Sequence, residues 1–526
     1  KNPSITNIKN YHKTYYVPNN MAICLSGDFD PDKMLAVIEK YFGQMVPNED
    51  LPEVDFETKT VIETPVSKDV YGLDAENVMI GWKYPGAGTE DAMIADVVAY
   101  VLSNGSAGLI DLDLNQQQKV LGADAMSYTR PDGGEFIIMA NPKKGQTLEE
   151  VKELVMDEIV KLRNGEFEED LIAGTINNLK LRQMRSLESN EDRADMYVQS
   201  FINGTDWADE VALFENLGKV TKQDVVDWAN EYLKDNNYAV IYKRQGEDKT
   251  VQKVSAPKIT PIKANRDAQS AYLAEIKASE VKPIEPVYVD YEKNMKFFDV
   301  NGMEVLYAQN KLNDISNIRY VYNTGIENDP ALNLAFDYIS YLGTPTRSAE
   351  EIAQEMYQLA CHFGLSAGSN QTVVAVSGLA ENMPQAMEVL EDLAYNAIPD
   401  EEILANLKAD MFKYRTDAKL NQSSCFSALQ EYIMYGPEYI RKTTMTDEQI
   451  KDITSEELLS KIREVLGCEH EIRYYGPATV AEATELLKAN HKVAENPKPL
   501  ERVYTKRLPA TENKVYLAPY DAKQIY

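Results

Sequence analysis

A short amphipathic helix, a polar turn and an apolar strand recur in that order three times along the chain. In the clearest copy, Thr221 is suited to cap a helix that carries Val225 and Trp228 on one face. The apolar run 238–242 follows and predicts a buried strand. The copies lie roughly 200 residues apart, which is too long for a solenoid repeat. The pattern therefore predicts domains of one architecture, each ending in this closing unit.

The other two closing units flank the clearest one. In the first, Ile8, Tyr11 and Tyr15 lie at helical spacing. The apolar run 21–25 then predicts a strand. In the third, a capping box within 453–457 opens the helix, and residues 472–475 provide the strand.

Around these units the chain passes twice through one order of elements: a strand, a helix, a hairpin and two further helices. The first repeat covers about 60–245 and the second about 296–490. Asn301-Gly302, between two apolar runs, is a strong signal for a hairpin. We expect an α/β (α+β) fold of repeated domains, each a mostly antiparallel sheet with helices packed on one face.

The amino-acid composition excludes some classes of binding partner. The chain has 526 residues, of which 44% are hydrophobic, and a formal net charge of −30. Such a charge repels polyanions, so we expect no nucleic-acid partner and no anionic membrane surface. No apolar run is long enough for a membrane span. The four cysteines are too few and too scattered for a disulfide framework.

Two proline-bearing stretches read as linkers. The first, 244–294, contains four prolines and predicts a hinge, with the two repeats in an open, elongated arrangement with few direct contacts. The second lies near 496–509. Beyond it, residues 515–526 repeat the pattern of 70–79 and predict the first strand of another domain. We therefore expect a fragment with partial domains at both ends.

Several segments resemble the pitrilysin/insulinase family of zinc metallopeptidases, which includes mitochondrial processing peptidase. Residues 15–21, Tyr-Tyr-Val-Pro-Asn-Asn-Met, and 26–30, Ser-Gly-Asp-Phe-Asp, are similar to the end of the family's first domain. Residues 102–106, Leu-Ser-Asn-Gly-Ser, resemble its second domain. Residues 342–348, Leu-Gly-Thr-Pro-Thr-Arg-Ser, resemble its third.

The resemblance implies repeated metallopeptidase-type domains and divides the chain into five parts. These are the C-terminal part of a catalytic-type first domain at 1–57, a second domain at 58–245, an interdomain linker at 246–295, a third, degenerate domain at 296–495 and the start of a truncated fourth domain at 496–526.

The family's zinc site is missing from this sequence. Catalysis in the family needs His-x-x-Glu-His on a helix and a distant Glu. In the second repeat the equivalent positions fall at Leu334, Asp337 and Tyr338, and no Glu occurs between 403 and 430. The resemblance thus implies zinc in the parent protein but no catalytic or metal-binding residue in this chain, which alone should neither retain a transition metal nor cleave peptides. The histidines, none of which has the motif spacing, are His12, His362, His470 and His491.

Other candidate sites favour structural interpretations. Cys468-x-His470 could offer two ligands from one strand face, but without a second pair an ordinary strand entry is favoured. Cys361 and His362 are adjacent and face apart, with His362 expected at a helix end. No substrate-binding residue can be assigned.

Two functions fit this sequence. The first is the non-catalytic body of a zinc peptidase that encloses and hydrolyses extended peptides, which a sheet edge could pair with. Its partners would be the peptide and a missing catalytic segment or companion subunit. The alternative is an inactive family member that acts as a partner subunit or scaffold. A periplasmic or cell-envelope location is favoured by the resemblance to bacterial members, and a cytoplasmic one stays open.

Overall fold

The computed structural model describes residues 4–52, 62–250, 266–281, 283–518 and 520, and it contains both α-helices and β-strands. The strands are β1 (Val66–Gly72), β2 (Asn77–Tyr84), β3 (Gly122–Arg130), β4 (Gly133–Asn141), β5 (Ala239–Gln245), β6 (Lys296–Val300), β7 (Met303–Gln309), β8 (Ile315–Tyr322), β9 (Cys361–Ala367), β10 (Thr372–Leu379) and β11 (His470–Gly476).

The α-helices connect and cover these strands. They are α1 (Ile5–Tyr15), α2 (Pro31–Phe42), α3 (Glu90–Leu102), α4 (Leu148–Asn164), α5 (Asp170–Ser186), α6 (Asn190–Asn203), α7 (Trp207–Leu217), α8 (Lys222–Tyr232), α9 (Ala271–Ala278), α10 (Tyr291–Asn294), α11 (Ala331–Ile339), α12 (Ala349–Gln358), α13 (Met383–Asn396), α14 (Glu401–Ala418), α15 (Gln422–Thr443), α16 (Asp447–Asp452), α17 (Ser455–Leu466) and α18 (Val480–Asn490). Among the described helices, none combines the length and the apolar character that a membrane span requires.

The first repeat forms a five-stranded sheet in the order β1-β5-β2-β4-β3. Only the β1–β5 pair is parallel; the other neighbours are antiparallel. Burial alternates along β2 and β4, so that Ile80, Trp82 and Phe136 lie on one face of the sheet. Helices α3, α4 and α8 cover that face and form one apolar core with it.

The second repeat forms a six-stranded sheet in the order β6-β7-β11-β8-β10-β9. The β7–β11 pair is parallel and the remaining pairs are antiparallel. Helices α11, α13 and α17 contribute to a second apolar core against this sheet. The predicted fold class, a mixed α/β arrangement with mostly antiparallel sheets, is confirmed.

Local signals in the sequence mark the element ends correctly. Asn301 and Gly302 both have left-handed backbone conformations, with φ of 55° and 83°, as a two-residue hairpin turn requires. Reciprocal side-chain caps form at the starts of three helices, including the capping box predicted within 453–457. They join Thr147 with Glu150, Thr221 with Asp224, and Thr454 with Glu457.

Two predicted local structures are wrong. Residues 21–25 have no strand partner within the described ranges, although Met21 is extended, with φ −134° and ψ 146°. The equivalent strands β5 and β11 each lie between two neighbours, and a ladder needs such partners. His362 lies on β9 and not at a helix end, although it does face away from Cys361.

The second predicted linker lies against the second repeat. Lys498 exchanges main-chain hydrogen bonds with Gly467 and Glu469, and the Leu508 N–H donates to the Met434 carbonyl at 2.7 Å. These bonds attach the segment to the domain instead of leaving it as a free connector. Residues 515–518, in the stretch 515–526 expected to begin another domain, form no strand, and residues 519 and 521–526 lie outside the described residues, as does part of the 244–294 linker.

The open arrangement of the two repeats is also wrong, because α5 packs directly against α12. The Thr175 and Tyr357 hydroxyls lie 3.1 Å apart in this contact, and the Asn178 amide donates to the Tyr357 carbonyl at 2.8 Å. Gly174 permits the approach, since a Cβ there would lie 3.2 Å from the Tyr357 ring. Arg185 also crosses to Ser377, with an N–O distance of 2.7 Å.

Candidate functional site

The helix on which the resemblance places the equivalents of the family's zinc ligands, α11, is part of the second core. Leu334 is 1% exposed and Tyr338 is fully buried. The Tyr338 hydroxyl accepts from the Asp400 N–H at 2.7 Å and lies 2.9 Å from the Ser455 hydroxyl. An apolar side chain and a hydrogen-bonded phenol thus occupy the two ligand positions, and neither can serve as an imidazole ligand to zinc.

Asp337 is the residue that the resemblance aligns with the catalytic Glu. Burial raises the pKa of its carboxyl group above the ordinary value. The Asn333 amide donates to it at 3.3 Å. A carboxyl group without metal-binding neighbours on its helix cannot activate a zinc-bound water, so these residues do not fit the zinc ion that the resemblance implies.

The stretch 403–430, where the family's third ligand would fall, joins the two repeats instead. Asp410 on α14 forms an ion pair with Lys143 at 3.0 Å, and the two side chains are only 11% and 20% exposed. Lys143 also donates to the Gln118 carbonyl at 2.8 Å. Burial raises the pKa of Asp410, and Lys143 acts in the opposite direction. The pair therefore places compensated charges inside the contact between the repeats.

A cavity of about 730 Å³ opens beside this ion pair, at the boundary between the two repeats. Gln116, Gln117 and Gln118 line it from the first repeat, and the segments 341–351 and 398–403 line it from the second. Gln117 reaches across to hydrogen-bond Glu350. The cavity is the candidate site because it lies at the boundary between the repeats and is lined by polar groups from both.

The segment 342–348, which carries the third-domain resemblance, forms a tightly bonded corner of that cavity. Arg347 contacts Glu355 at 2.8 Å and Asp392 at 3.3 Å. The Thr344 hydroxyl donates to the same Asp392 carboxylate at 2.7 Å. The side chains of Arg347 and Thr344 are therefore engaged in contacts within the second repeat that stabilise the conformation of segment 342–348.

The structure brings together two of the four histidines. His470 and His491 lie with their Nε2 atoms 2.8 Å apart and are both buried. No sequence pattern indicates this pair, because the two residues are 21 positions apart along the chain and belong to different elements. The Cys468 thiol takes no part in it, since it donates to the Glu464 carbonyl at 3.1 Å. Across the described ranges, no group of three or more His, Cys, Asp or Glu side chains is placed to bind a metal.

Sequence comparisons identify related proteins. Residues 4–179 match the family described as the peptidase M16 inactive domain. The chain is 26% identical over 265 residues to the zinc protease PqqE of Helicobacter pylori, which covers 46% of this chain and 55% of that protein. It is 33% identical over 69 residues to an uncharacterized zinc protease of Rickettsia felis, covering 13% of this chain and 17% of that protein.

A solved structure shows a further likeness. The periplasmic protease PqqL from Escherichia coli aligns with 95% of this chain and 59% of its own, at 14% identity and a TM-score of 0.37. The chain spans about half or less of the length of the curated relatives that it matches. Residues 4–179 thus match the inactive-domain family of peptidase M16, and parts of the chain are similar to bacterial zinc proteases.

Proposed function

We propose that this chain is the non-catalytic body of a zinc-dependent M16 peptidase that encloses and hydrolyses extended peptides. The observation that carries the proposal is the match of residues 4–179 to the inactive domain of that family. The sequence supports it, because none of the four histidines has the spacing of a zinc motif. The burial of Leu334 and Tyr338 supports it too, since the second repeat offers no ligand at either position.

The hydrolytic zinc would be bound by a polypeptide segment or companion subunit other than residues 1–526. When bound there, zinc would polarise the peptide carbonyl and lower the pKa of its bound water. This chain would hold the substrate backbone near that site. The same proposal includes a resemblance of the parent protein to mitochondrial processing peptidase. It also includes a second domain at 58–245 and a third domain at 296–495.

Substrate binding would use backbone pairing and charge. The sheets present unpaired edges at β3 and β9 within the described residues, where an extended peptide could add a strand without sequence preference. The net charge of −30 favours cationic peptides and should speed their association at low salt. We therefore expect a basic, unfolded segment to bind better than an acidic one of equal length.

The first experiment measures binding and cleavage separately. A fluorescent, internally quenched cationic peptide is mixed with the purified chain and zinc. Fluorescence anisotropy should show binding that weakens with added salt, while no chelator-sensitive cleavage develops. A peptide of the same length with its lysines replaced by glutamate is the matched control. Zinc-dependent hydrolysis by this chain alone would contradict the proposal. So would a result in which neither the cationic nor the acidic peptide binds.

The second experiment distinguishes the peptidase from the scaffold alternative. Antibody against the purified chain captures the natural protein from its source. The captured material should contain an intact His-x-x-Glu-His motif by peptide mapping and should cleave the quenched peptide until a chelator is added. Captured protein that lacks both the motif and the activity would instead support an inactive partner subunit.

A further inference from the structure

Three side chains form a continuous buried hydrogen-bonded row in the second repeat. Glu391 lies on α13, His491 directly follows α18, and His470 begins β11. The Glu391 Oε1 atom lies 2.7 Å from His491 Nδ1, and His491 Nε2 lies 2.8 Å from His470 Nε2. All three residues are less than 9% exposed. The row therefore joins three separate elements inside the core.

The partners of these atoms determine where the protons lie. His470 Nδ1 lies 3.1 Å from the Cys468 carbonyl oxygen, which can only accept, so Nδ1 carries a hydrogen. For neutral His470, Nε2 is then an acceptor, and His491 must donate to it from its own Nε2. One further proton lies between His491 and Glu391. The row thus has three protons for three hydrogen bonds and no net charge, whichever partner holds the last proton.

A fourth proton has no satisfactory place in this row. On His470 Nε2 it would oppose the N–H of His491 and break their hydrogen bond. On Glu391 it would leave an uncompensated positive charge in a buried site. The second carboxylate oxygen of Glu391 is itself buried without a hydrogen-bond partner among the described residues. Acid should therefore disrupt the row at either end.

Among the described residues, His491 is the hydrogen-bond partner of His470 Nε2, and aromatic and charged groups surround the row. Tyr320 stacks on His491 with ring centroids 3.8 Å apart, and Tyr322 lies 4.7 Å from the His470 ring. Both belong to β8, and burial raises the pKa of each phenol well above its ordinary value. The other titratable or charged groups near the row or around the adjoining cavity are Tyr395, Cys468, Arg347, Glu388, Asp392, Lys488 and Lys492.

The row fastens one segment, residues 491–500, which we term the strap. The Lys492 N–H donates to Glu391 Oε1 at 3.3 Å, immediately beside the row. Further along, the Lys498 N–H donates to the Gly467 carbonyl at 3.0 Å, and the Lys498 carbonyl accepts from Glu469 at 2.8 Å. The strap is thus attached on both sides of His470, by its first residue and by Lys498.

We propose that Glu391, His491 and His470 form an acid-sensitive latch that holds the strap on the second repeat and releases it when a further proton enters. In this device the bond between the two histidines is the part that opens. The strap continues into residues whose contacts reach α15, through the Leu508–Met434 hydrogen bond, so release would loosen the attachment of the following segment too.

The size of the response follows from His470. Burial, with a smaller effect of the His491 charge, lowers the pKa of His470 to about 4. In the released state the pKa returns towards ~6.5, so between these values only the released state binds the proton and acid favours release. From pH 7.5 to pH 5.0 the population of the released state should rise about 30-fold.

Hydrogen exchange on the full chain tests the latch. After correction for the intrinsic rates, peptides covering 491–500 should exchange about 30-fold faster at pH 5.0 than at pH 7.5, while β8 peptides keep their protection. His470→Gln retains an acceptor towards His491 but cannot titrate, and should reduce the response below about threefold. His12→Gln, on the exposed helix α1, is the matched control and should leave it unchanged. An unchanged strap, a full response in His470→Gln, or equal loss of protection in β8 would overturn the proposal.

A spectroscopic test requires no variant. With only four histidines, selective ¹⁵N labelling of the imidazoles gives a spectrum of few signals. At pH 7.5 His470 should be the Nδ1–H tautomer, and a scalar coupling should connect its Nε2 to the protonated Nε2 of His491. The coupling should vanish at pH 5.0 in the released fraction. A protonated His470 Nε2 at pH 7.5 would overturn the latch.

Discussion

Tyr338 shows how a single buried residue can join several helices in the core of the second repeat. Its ring is fully buried in the second repeat, and its hydroxyl satisfies the main-chain N–H of Asp400 at the start of α14. The same hydroxyl lies within hydrogen-bond distance of Ser455, the first residue of α17. One phenol therefore joins three helices, and a zinc-binding imidazole at this position would not reproduce those bonds.

Tyr338→Phe should destabilise the second repeat. The change leaves the Asp400 N–H and the Ser455 hydroxyl without this partner in a buried site, which costs about 1–3 kcal/mol. Tyr128→Phe, at a residue that is 50% exposed on β3, is the control and should change stability by less than about 0.5 kcal/mol. Hydrogen exchange of peptides from α14 and α17 measures the effect. Equal protection in the two variants would show that the phenol bonds contribute little.

Cysteine reactivity should follow burial. Cys361 and Cys468 are buried, whereas Cys24 and Cys425 are partly accessible, and all four are free. Burial raises the pKa of Cys361 to about 11, so little thiolate is present at pH 8, and thiolate is the reactive form. Iodoacetamide at pH 8 should therefore modify Cys24 and Cys425 first, as peptide mapping can show.

The pH dependence of that reaction has a definite sign. Below the raised pKa, the thiolate fraction at Cys361 increases about tenfold for each pH unit, so its alkylation should accelerate between pH 8 and pH 10 while the fold persists. Protein unfolded in urea is the control and should react at all four cysteines. Rapid modification of Cys361 in the folded chain at pH 8 would mean that the β9 edge opens readily.

Among the helices and strands, those helix starts that depend on neighbouring residues could be predicted from the sequence. Thr147, Thr221 and Thr454 each precede an acidic residue three positions later and each caps a helix, as predicted for Thr221 and for the box within 453–457. Residues 21–25 and the strand β9 were not predicted correctly, because a strand also depends on partners that are distant in sequence. The same limit applies to the candidate functional residues. The absence of a zinc motif can be seen in the sequence, whereas the His470–His491 pair is seen only in the structure.

A buried ion pair contributes to the contact between the repeats, in addition to the α5–α12 packing. Replacing Lys143 with Met leaves the Asp410 carboxylate buried without its cation, which should destabilise the contact by about 2 kcal/mol. The double variant Lys143→Met/Asp410→Leu removes both charges and should recover most of that loss. The opening free energy comes from hydrogen exchange in α14.

An exposed ion pair provides the control for this cycle. Lys219 and Glu215 lie 3.3 Å apart with side chains 65% and 78% exposed. Lys219→Met should therefore change the opening free energy by less than about 0.5 kcal/mol. If Lys143→Met behaves like this control, the ion pair does not stabilise the contact between the repeats.

For the whole molecule, the linker sequence predicts that the two repeats lie apart, whereas the contact between the repeats holds them together. The four prolines of 244–294 predict an extended connection. The α5–α12 packing and the Lys143–Asp410 pair nevertheless hold the repeats together. Sequence patterns do not show such contacts, because they join residues roughly 180 to 270 positions apart through single polar groups. The domain limits inferred from the linker stay predictions.

Cutting the linker should not separate the repeats. Tyr288 is 83% exposed and Tyr291 is 65% exposed, so chymotrypsin should cut there before it cuts within either sheet. The two products should still elute together in size-exclusion chromatography and appear as one complex by native mass spectrometry. The reason is that the packed helices and the buried ion pair do not depend on the linker. Lys143→Met should shift the cut protein towards separate fragments, and Lys219→Met should not. If the fragments of the cut unaltered protein separate as completely as those of cut Lys143→Met, then the linker, and not the contact, keeps the repeats together.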